Sequence, residues 1–312
     1  MRVLVTGGAG FIASHVADKL IAEGHRVAVL DNLITGRRSN APPEARFFEM
    51  DIRDPAIAGL WAAERFEALV HAAAQMDVRK SVDDPRFDAD VNLLGLINLM
   101  EAGRRHGLKR VVFTSTGGAA YDDTVPFPTS EAVWPRPVSP YGVAKMASEM
   151  YLYYYQSEYA VPALSLRFGN VYGPRQNPHG EAGVVAIFAR RLLAGQACTI
   201  NGDGKQTRDY VFVADVARAA VAALESEATG SFNVSTGVET DVVALYESIR
   251  EAVGVSMAAA HGPAKSGEVR RSCLDNRKIK TALGWTPQAA VADGVARTVE
   301  FFRRQLSDPD AR

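Results

Sequence analysis

The N-terminal segment VLVTGGAGFIASH restricts the fold of this chain more than any other feature. Its β-branched run predicts a strand over residues 2–5, and helical periodicity predicts a helix over residues 11–23. Gly7 and Gly10 lie between the two. Glycine there allows a sharp turn and lets backbone N–H groups approach a pyrophosphate at the helix N-terminus. This order of elements predicts a dinucleotide-binding βαβ unit.

Strands and helices alternate through the first half of the chain. Further strands are predicted over residues 26–30, 47–50, 68–71 and 111–114. Amphipathic helices are predicted over residues 57–65 and 91–105. Continuous apolar strands separated by helices indicate a parallel sheet that is buried on both faces, and right-handed crossovers make such a sheet doubly wound.

The pattern changes near residue 170, where Pro and Gly become frequent and short elements no longer alternate. We therefore predict an α/β fold with a doubly wound parallel (Rossmann) sheet in an NAD-binding domain over residues 1–170. A smaller mixed α/β substrate-binding domain is predicted over most of residues 171–312. The segment near 210–236, with a strand at 231–234, is predicted to return to the first domain.

Composition excludes several classes of function. Lys plus Arg number 35 and Asp plus Glu number 36, so no basic excess is present for nucleic-acid binding. The two cysteines, Cys198 and Cys273, form neither a disulfide framework nor a metal-ligand spacing. No apolar run approaches the roughly 18 residues of a membrane span, and no signal peptide is evident. These features predict a cytoplasmic protein that uses no metal and contacts no membrane.

Asp31 follows the second predicted strand directly. A carboxylate at this place accepts hydrogen bonds from the adenosine ribose and repels a 2′-phosphate, which favours NAD over NADP. Arg37 and Arg38 are near enough in sequence to keep NADP as the alternative. Asp51 and Ile52 follow the third strand, where the adenine is expected.

The segment SPYGVAK places Tyr141 and Lys145 four residues apart, on one face of a predicted helix. A free Tyr has a pKa near 10, and a neighbouring ammonium favours its phenolate. Tyr141 is therefore a candidate general acid/base. Thr116, after the fifth strand, is the candidate hydroxyl that shares a substrate proton with Tyr141, and Ser115 is the alternative.

These motifs together resemble the extended short-chain dehydrogenase/reductase family, and within it the UDP-glucose 4-epimerase group. The matching segments are VTGGAGFI, LDNLITG, MDIRD, HAAAQMDVRKSVDDP, VNLLG, FTSTGGAAY, SPYGVAK, LRFGNVYGPRQNPHGEAG and GDGKQTRDYVFVADVA. The resemblance implies NAD-dependent epimerisation of a UDP-hexose at C4 through a transient 4-keto sugar. It also implies that Thr116, Tyr141 and Lys145 are the catalytic residues.

The resemblance assigns further site residues. Those expected around the cofactor, beside Gly7, Gly10, Asp31, Tyr141 and Lys145, are Phe11, Ile12, Asn32, Leu33, Thr35, Gly36, Asp51, Ile52, Ala72, Ala73, Ala74, Gln75 and Asn92. Asn92 is expected to support the active-site backbone. The residues expected to bind substrate, beside Thr116 and Tyr141, are Asn170, Arg208, Lys265, Glu268 and Ser272. A small Ser272 leaves room for a 2-N-acetyl group.

Other activities remain as alternatives. A UDP-glucuronate or dTDP-sugar 4-epimerase comes first; Arg175 or Arg86 would be the partner of a glucuronate carboxylate. A sugar-nucleotide dehydratase or decarboxylase is disfavoured because Gly117 and Gly118 follow Thr116 where acidic residues are expected. A non-catalytic NAD-binding protein is the last alternative.

The resemblance also implies a homodimer. Helices over residues 91–105 and 143–155 would form a four-helix interface, and the tyrosines at 151–155 would serve packing or this interface. His179 lies in a loop expected to cover the sugar, where a structural role is expected. Asp122 and Asp123 follow Tyr121 where glycine is usual, so the loop near the sugar is expected to differ in shape.

Overall fold

The computed structural model describes residues 1–122, 124–178, 183–264 and 269–307. Its strands are β1 Arg2–Thr6, β2 Arg26–Asp31, β3 Arg46–Glu49, β4 Ala68–His71, β5 Arg110–Thr116, β6 Ala163–Phe168, β7 Asn170–Tyr172, β8 Thr199–Asn201, β9 Thr207–Arg208, β10 Tyr210–Phe212, β11 Gly230–Val234, β12 Thr240–Asp241 and β13 Ala260–Gly262. Its helices are α1 Phe11–Ala22, α2 Ile57–Glu64, α3 Val78–Asp83, α4 Pro85–Ala89, α5 Gly95–Arg105, α6 Pro140–Tyr159, α7 Val184–Leu193, α8 Val213–Glu225, α9 Val242–Val253, α10 Arg277–Leu283 and α11 Val291–Ser307. Shorter helical turns are a 3-10 turn at Arg38–Asn40 and a π-helical turn at Asp90–Leu94.

Seven of the described strands form one parallel sheet in the order β11–β6–β5–β4–β1–β2–β3. The chain builds outward from β1 to β3, and then crosses to β4 and builds outward in the other direction. The predicted doubly wound α/β fold is therefore confirmed. Its switch point lies where Thr6, at the end of β1, pairs with His71, at the end of β4. Ligand crevices of open α/β sheets form at this point.

Both faces of the sheet are covered by helices. Val3 and Val5 of β1 belong to the core cluster under α1 and α8, whereas Leu4 belongs to the opposite cluster, under α2, α5 and α6. This split follows from the alternation of side chains along a strand. Each fully buried Val or Leu contributes about 1.5–3 kcal/mol. The two layers therefore hold the strand ends, and the loops that follow them, in fixed positions.

A smaller mixed α/β unit adjoins the sheet. Its core joins α7, α9 and α11 with short strands, and Tyr172, Phe188, Tyr246 and Val299 are among its buried side chains. The strand β7 pairs in parallel with β10, so the chain leaves β6 and at once enters the second unit. The C-terminal ends of the large sheet thus lie beside the smaller unit.

Two differences from the sequence-based prediction concern elements near the site. The strand β6 was not among the predicted strands, because the polar Ser165 and Arg167 break its apolar run. The predicted helix over 91–105 is a π-helical turn followed by α5, which begins at Gly95. A Cβ on Gly95 would lie 2.5 Å from the end of the Ile52 side chain, so a larger residue there would displace Ile52. A π-helical turn inside a helical segment often marks a functional site.

The described residues include no helix that is both long and apolar enough to span a membrane. They also contain no group of three or more His, Cys, Asp or Glu side chains that is able to hold a metal ion.

Candidate active site

The turn between β1 and α1 forms a cradle of backbone groups that is suited to an anion. Gly7 has a φ of 71°, and a Cβ there would lie 2.7 Å from the backbone nitrogen of Ala73. Gly10 donates its N–H to the Gly7 carbonyl at 2.9 Å and caps α1 without a side chain. The first turn of α1 carries no acidic residue. The N–H groups that begin at Phe11 and Ile12, with the positive end of the helix dipole, are therefore suited to a pyrophosphate.

The carboxylate of Asp31 is buried beside this cradle at the end of β2. One oxygen accepts a hydrogen bond from the N–H of Ala9 at 3.0 Å, and the other accepts from Leu33 at 2.8 Å. A Cβ on Gly36 would lie 2.9 Å from this carboxylate, so glycine lets the next loop pass close to it. Each oxygen keeps a lone pair for a ligand hydroxyl.

Asp51 holds the adjacent loop in place. Its carboxylate accepts hydrogen bonds from Arg53 Nε at 2.9 Å and from Asn32 Nδ2 at 2.9 Å. Chiefly through its hydrogen bond with Arg53, the pKa of Asp51 lies well below its usual range. Ile52 is buried next to it, whereas Asn32 and Thr35 are exposed. In this geometry Asp51 anchors the edge of the crevice where an adenine was predicted.

The segment after β4 lines the other side of the switch point. Residues 72–75 are partly exposed, and the Thr6 hydroxyl lies 3.3 Å from the N–H groups of both Ala72 and Ala73. The Asn92 side chain accepts from the N–H of Gln75 and donates to its carbonyl, both at 2.9 Å. Asn92 therefore fixes the backbone at the crevice. Sequence reasoning missed Thr6, whose only signal is its place as the last residue of β1.

Local sequence also explains where α6 begins. The Ser139 hydroxyl accepts from the N–H of Gly142 at 3.2 Å, and Pro140 stands at the first helical position. A Cβ on Gly142 would lie 2.4 Å from the carbonyl oxygen of Ala119. The first turn of α6, which carries Tyr141, is thus pressed against the loop that follows β5.

The side chain of Lys145 is buried behind Tyr141. Its Nζ donates to the Thr114 carbonyl at 3.0 Å and lies 4.7 Å from the ring centroid of Phe113 and 5.9 Å from that of Tyr141. Burial lowers the pKa of Lys145 to about 8. Burial first, and the charge of Asp88 second, raise the pKa of Tyr141. A phenolate at Tyr141 therefore depends on positive charge close to it.

Thr116 and Ser115 differ in what their hydroxyls contact. The Ser115 hydroxyl is buried and donates to Glu149 at 2.6 Å. Thr116 ends β5 with a partly exposed side chain, and its hydroxyl accepts from the N–H of Ala119 at 3.1 Å. A hydroxyl that accepts from backbone still has its proton to donate. This geometry favours Thr116 for a contact with a ligand.

Three candidate substrate residues are neighbours through backbone pairing. Asn170 donates its N–H to the Asp209 carbonyl at 2.7 Å, and Ser272 donates its N–H to Thr207 at 3.2 Å. Arg208 lies between these two acceptors and is partly buried. The remaining candidates, Lys265 and Glu268, lie outside the described residues, as do His179 and Asp123.

A narrow, partly open cleft lies between the loop after Thr116 and the segment that contains Ser272. The two sides meet where Thr129 bridges to Leu274. The residues around the cleft are Gly117, Gly118, Tyr121, Asp122, Phe127, Thr129, Val269, Arg271, Ser272, Cys273 and Leu274. The Thr116 loop and Ser272 therefore face one shared space.

Residues 3–235 match the NAD dependent epimerase/dehydratase family. A UDP-glucose 4-epimerase of Mycolicibacterium smegmatis is 48% identical over 311 residues, which are 98% of this chain and 99% of that protein. The UDP-glucose 4-epimerase of Thermotoga maritima, whose crystal structure was determined with UDP-glucose, is 45% identical in sequence to this chain. The two structures superpose with a TM-score of 0.96 over 98% of this chain and 100% of that one. The UDP-glucose 4-epimerase of Thermus thermophilus in complex with NAD is 46% identical with a TM-score of 0.91, covering 97% of this chain and 99% of that one. The chain belongs to the NAD dependent epimerase/dehydratase family.

Proposed function

We propose that this chain interconverts UDP-hexoses at C4 in an NAD-dependent reaction, with UDP-glucose and UDP-galactose as its substrate pair. One observation carries the proposal: the Tyr141–Lys145 pair and Thr116 lie at the same edge of the sheet as the glycine turn. The similar proteins from three bacteria, all named UDP-glucose 4-epimerases, support the choice of reaction.

The residues at the switch point suit NAD. Gly7 and Gly10 give a pyrophosphate access to the start of α1, and Asp31 offers acceptors for the adenosine ribose. The buried carboxylate of Asp31 disfavours a 2′-phosphate, whereas Arg37 and Arg38 are exposed. Arg38 lies over the Phe47 ring at 4.2 Å. Bound in this crevice, NAD supplies the acceptor for the C4 hydride and its source on return.

Tyr141 moves the proton in this proposal. Its phenolate removes the proton from the sugar 4-hydroxyl, and its hydroxyl returns a proton to the inverted alcohol. A positive charge on Lys145, whose Nζ lies 5.9 Å from the ring centroid of Tyr141, favours the phenolate. The Thr116 hydroxyl donates a hydrogen bond to the same oxygen and fixes its distance from Tyr141.

Epimerisation requires that the sugar turn over while the nucleotide stays in place. Asn170 and Arg208 lie close together at the start of the second unit, and we assign them to the diphosphate. A guanidinium suits this ligand because it donates in a planar fork. Lys265 and Glu268 remain predicted contacts. With the diphosphate held, a transient 4-keto sugar is free to present its other face.

The alternative reactions find less support. Elimination or decarboxylation calls for additional acid or base groups after Thr116, where this chain has Gly117 and Gly118. A glucuronate would need a basic partner for its carboxylate. Arg175, one of the two candidates for that partner, donates to Asp18 of α1 at 2.6 Å instead.

Tolerance of a 2-N-acetyl group is a narrower question within the same proposal. Ser272 is small, partly buried and borders the cleft shared with the Thr116 loop. A larger side chain there would reduce this space. We propose that UDP-N-acetylhexosamines are accepted in addition to UDP-hexoses.

We also propose a homodimer whose interface is formed by α6 and by the helical segment that comprises the π-helical turn and α5. Large apolar side chains on these elements remain exposed, among them Leu94 at 55%, Val143 at 52% and Met150 at 57%. Tyr151 and Tyr154 are exposed as well, whereas Tyr155 is buried and donates to Glu101 at 3.1 Å. A group of exposed apolar side chains on paired helices is typical of a protein–protein interface.

A substrate panel tests the proposed reaction. The purified chain is incubated separately with UDP-galactose, UDP-N-acetylgalactosamine, UDP-glucuronate and a dTDP-hexose, and the C4 epimers are resolved. The proposal predicts conversion of the first two. Conversion of UDP-galactose alone would contradict the assignment of Ser272. Conversion of UDP-glucuronate or the dTDP-hexose alone would contradict the choice of UDP-hexose.

A further inference from the structure

A buried carboxylate lies beside the Tyr141–Lys145 pair and has no part in the reaction described above. Asp88, on α4, is 1% exposed. One of its oxygens accepts hydrogen bonds from Gln75 Nε2 at 3.0 Å and Asn92 Nδ2 at 2.9 Å. Its other oxygen is buried with no hydrogen-bond partner among the described residues. A buried acid without full hydrogen bonding is costly, so it calls for an explanation.

The helix packing brings Asp88 toward the catalytic helix. Both α4 and the π-helical turn pack against α6, and the Ser148 hydroxyl on α6 donates to the Asn92 carbonyl at 3.2 Å. Asn92 therefore joins Asp88 to α6, one turn beyond Lys145. The same Asn92 side chain grips the backbone of Gln75 at the crevice. The position of Asp88 is thus fixed from two sides.

Charged and titratable groups near Asp88 and Lys145 lie on α6, β4 and α3. On α6, Asp88 interacts with Lys145 and the titratable Tyr141, and Glu149, one turn further, acts on Lys145. On β4, His71 lies near Lys145 and is neutral, since burial lowers its pKa to about 3. On α3, Lys80 lies over the ring of Phe87, at 4.7 Å. Lys145 is the buried cation of this group.

We propose that Asp88 is the buried counter-charge of the Tyr141–Lys145 pair, a positioning residue that keeps Lys145 protonated and sets the pH range of the reaction. Lys145 is desolvated, which favours its neutral form, and the carboxylate of Asp88, followed by that of Glu149, opposes this effect. The Asp88 carboxylate also opposes a negative charge on Tyr141. A single negative charge therefore raises the pKa of both groups.

Loss of the Asp88 charge should shift the pH profile of the reaction in one direction. The proposed reaction, on which this inference rests, needs Tyr141 ionised at the acid limb of the pH profile and Lys145 protonated at the alkaline limb. Removal of one negative charge lowers both pKa values. Both limbs of kcat/KM should therefore move to lower pH, by about one unit for a charge at close range. A purely structural defect would lower the rate and leave both limbs in place.

The test uses the NAD-loaded chain and three variants. Asp88→Asn removes the charge with little change in shape, and Asp88→Glu keeps the charge at the cost of shape. Asp83→Asn removes the same charge from an exposed position on α3. We expect both limbs to shift only in Asp88→Asn. Should that variant not fold, Asp88→Ser takes its place. Unmoved limbs, limbs that move in opposite directions, or the same shift in Asp83→Asn would overturn the proposal.

A second readout needs no turnover and so separates this proposal from the proposed reaction. Side-chain carbon NMR of labelled lysine follows the ionisation of Lys145, whose signal is identified by its loss in Lys145→Met. The wild-type chain should titrate at a pKa of about 8. In Asp88→Asn the value should fall, and in Asp88→Glu it should stay. An unchanged value in Asp88→Asn would refute the role of Asp88 even if the enzyme turns over. No turnover with a shifted value would refute the proposed reaction alone.

Discussion

Arg167 on β6 and Glu149 on α6 form an ion pair between the sheet and the helix, with Nη2 of the guanidinium 2.7 Å from a carboxylate oxygen and both side chains less than a tenth exposed. Hydroxyls of Ser115 and Ser231 donate to the same carboxylate, each at 2.6 Å. Nη1 of Arg167 donates to the Tyr121 hydroxyl at 2.7 Å. The pair thereby links β5, β6 and β11 to α6, the helix that carries the catalytic candidates.

Arg167→Met should destabilise the chain strongly. It leaves Glu149 buried without its counter-charge, and loss of one partner of a buried pair costs about 3–5 kcal/mol. The shift of the midpoint of chemical unfolding measures this cost.

The matched control for Arg167 is Arg303→Met on α11. Arg303 pairs with Glu300 at 2.9 Å, but both side chains are more than two-fifths exposed. Exposed pairs contribute about 0–1 kcal/mol, so this midpoint should hardly move. Equal shifts for the two variants would show that the buried pair adds no special stability.

Tyr141→Phe should reduce kcat by about 10²–10⁴-fold, because it removes the acid/base hydroxyl. NAD bound per chain, released by denaturation and quantified, should stay at the wild-type level. Tyr153→Phe is the control, since this tyrosine is 72% exposed on the same helix. Wild-type turnover in Tyr141→Phe would remove Tyr141 from the mechanism.

Asp31→Asn should reduce the preference for NAD over NADP. It removes a charge-assisted acceptor of ribose hydroxyls, worth about 1.5–3 kcal/mol, and it removes the repulsion of a 2′-phosphate. The dissociation constant of NADP divided by that of NAD, both measured by titration of the apoprotein, should fall by roughly tenfold or more. An unchanged ratio would show that Asp31 does not select the cofactor.

Met150→Glu should dissociate the proposed dimer, because it places a charge in the centre of the exposed apolar face of α6. Sedimentation velocity should give a dimer for the wild-type chain and a monomer for this variant. Leu306→Glu on α11, an exposed leucine away from that face, should remain dimeric. A monomeric wild-type chain, or a dimeric Met150→Glu, would contradict the proposed interface.

Much of the fold is predictable from local patterns. The glycine turn, Asp31 and the SPYGVAK segment each combine with a neighbouring strand or helix, and the sheet places them at one edge. The strand β6 was not predicted, because the polar residues Ser165 and Arg167 are unusual in a buried strand. The burial of Arg167 makes sense only with Glu149, which lies eighteen residues earlier on α6.

Parts of the site also depend on contacts between residues that are distant in sequence, which local patterns do not predict. Ser115 and Thr116 are neighbours of similar chemistry, and the structure distinguishes them by the contact between Ser115 and Glu149 and by the greater exposure of Thr116. Asp88 carries one signal, its place four residues before Asn92, where side chains share a helix face. Its closeness to the Tyr141–Lys145 pair depends on how α4 packs on α6, which no local pattern encodes.

An isotope experiment tests the proposed inversion at C4 by hydride transfer to and from bound NAD. UDP-galactose that carries deuterium at C4 is incubated with the NAD-loaded chain in ordinary water, and the products are analysed by NMR. We expect UDP-glucose with the deuterium still at C4, because a hydride held by bound NAD does not exchange with water. No UDP-glucose, or UDP-glucose with solvent hydrogen at C4, would contradict the proposed reaction.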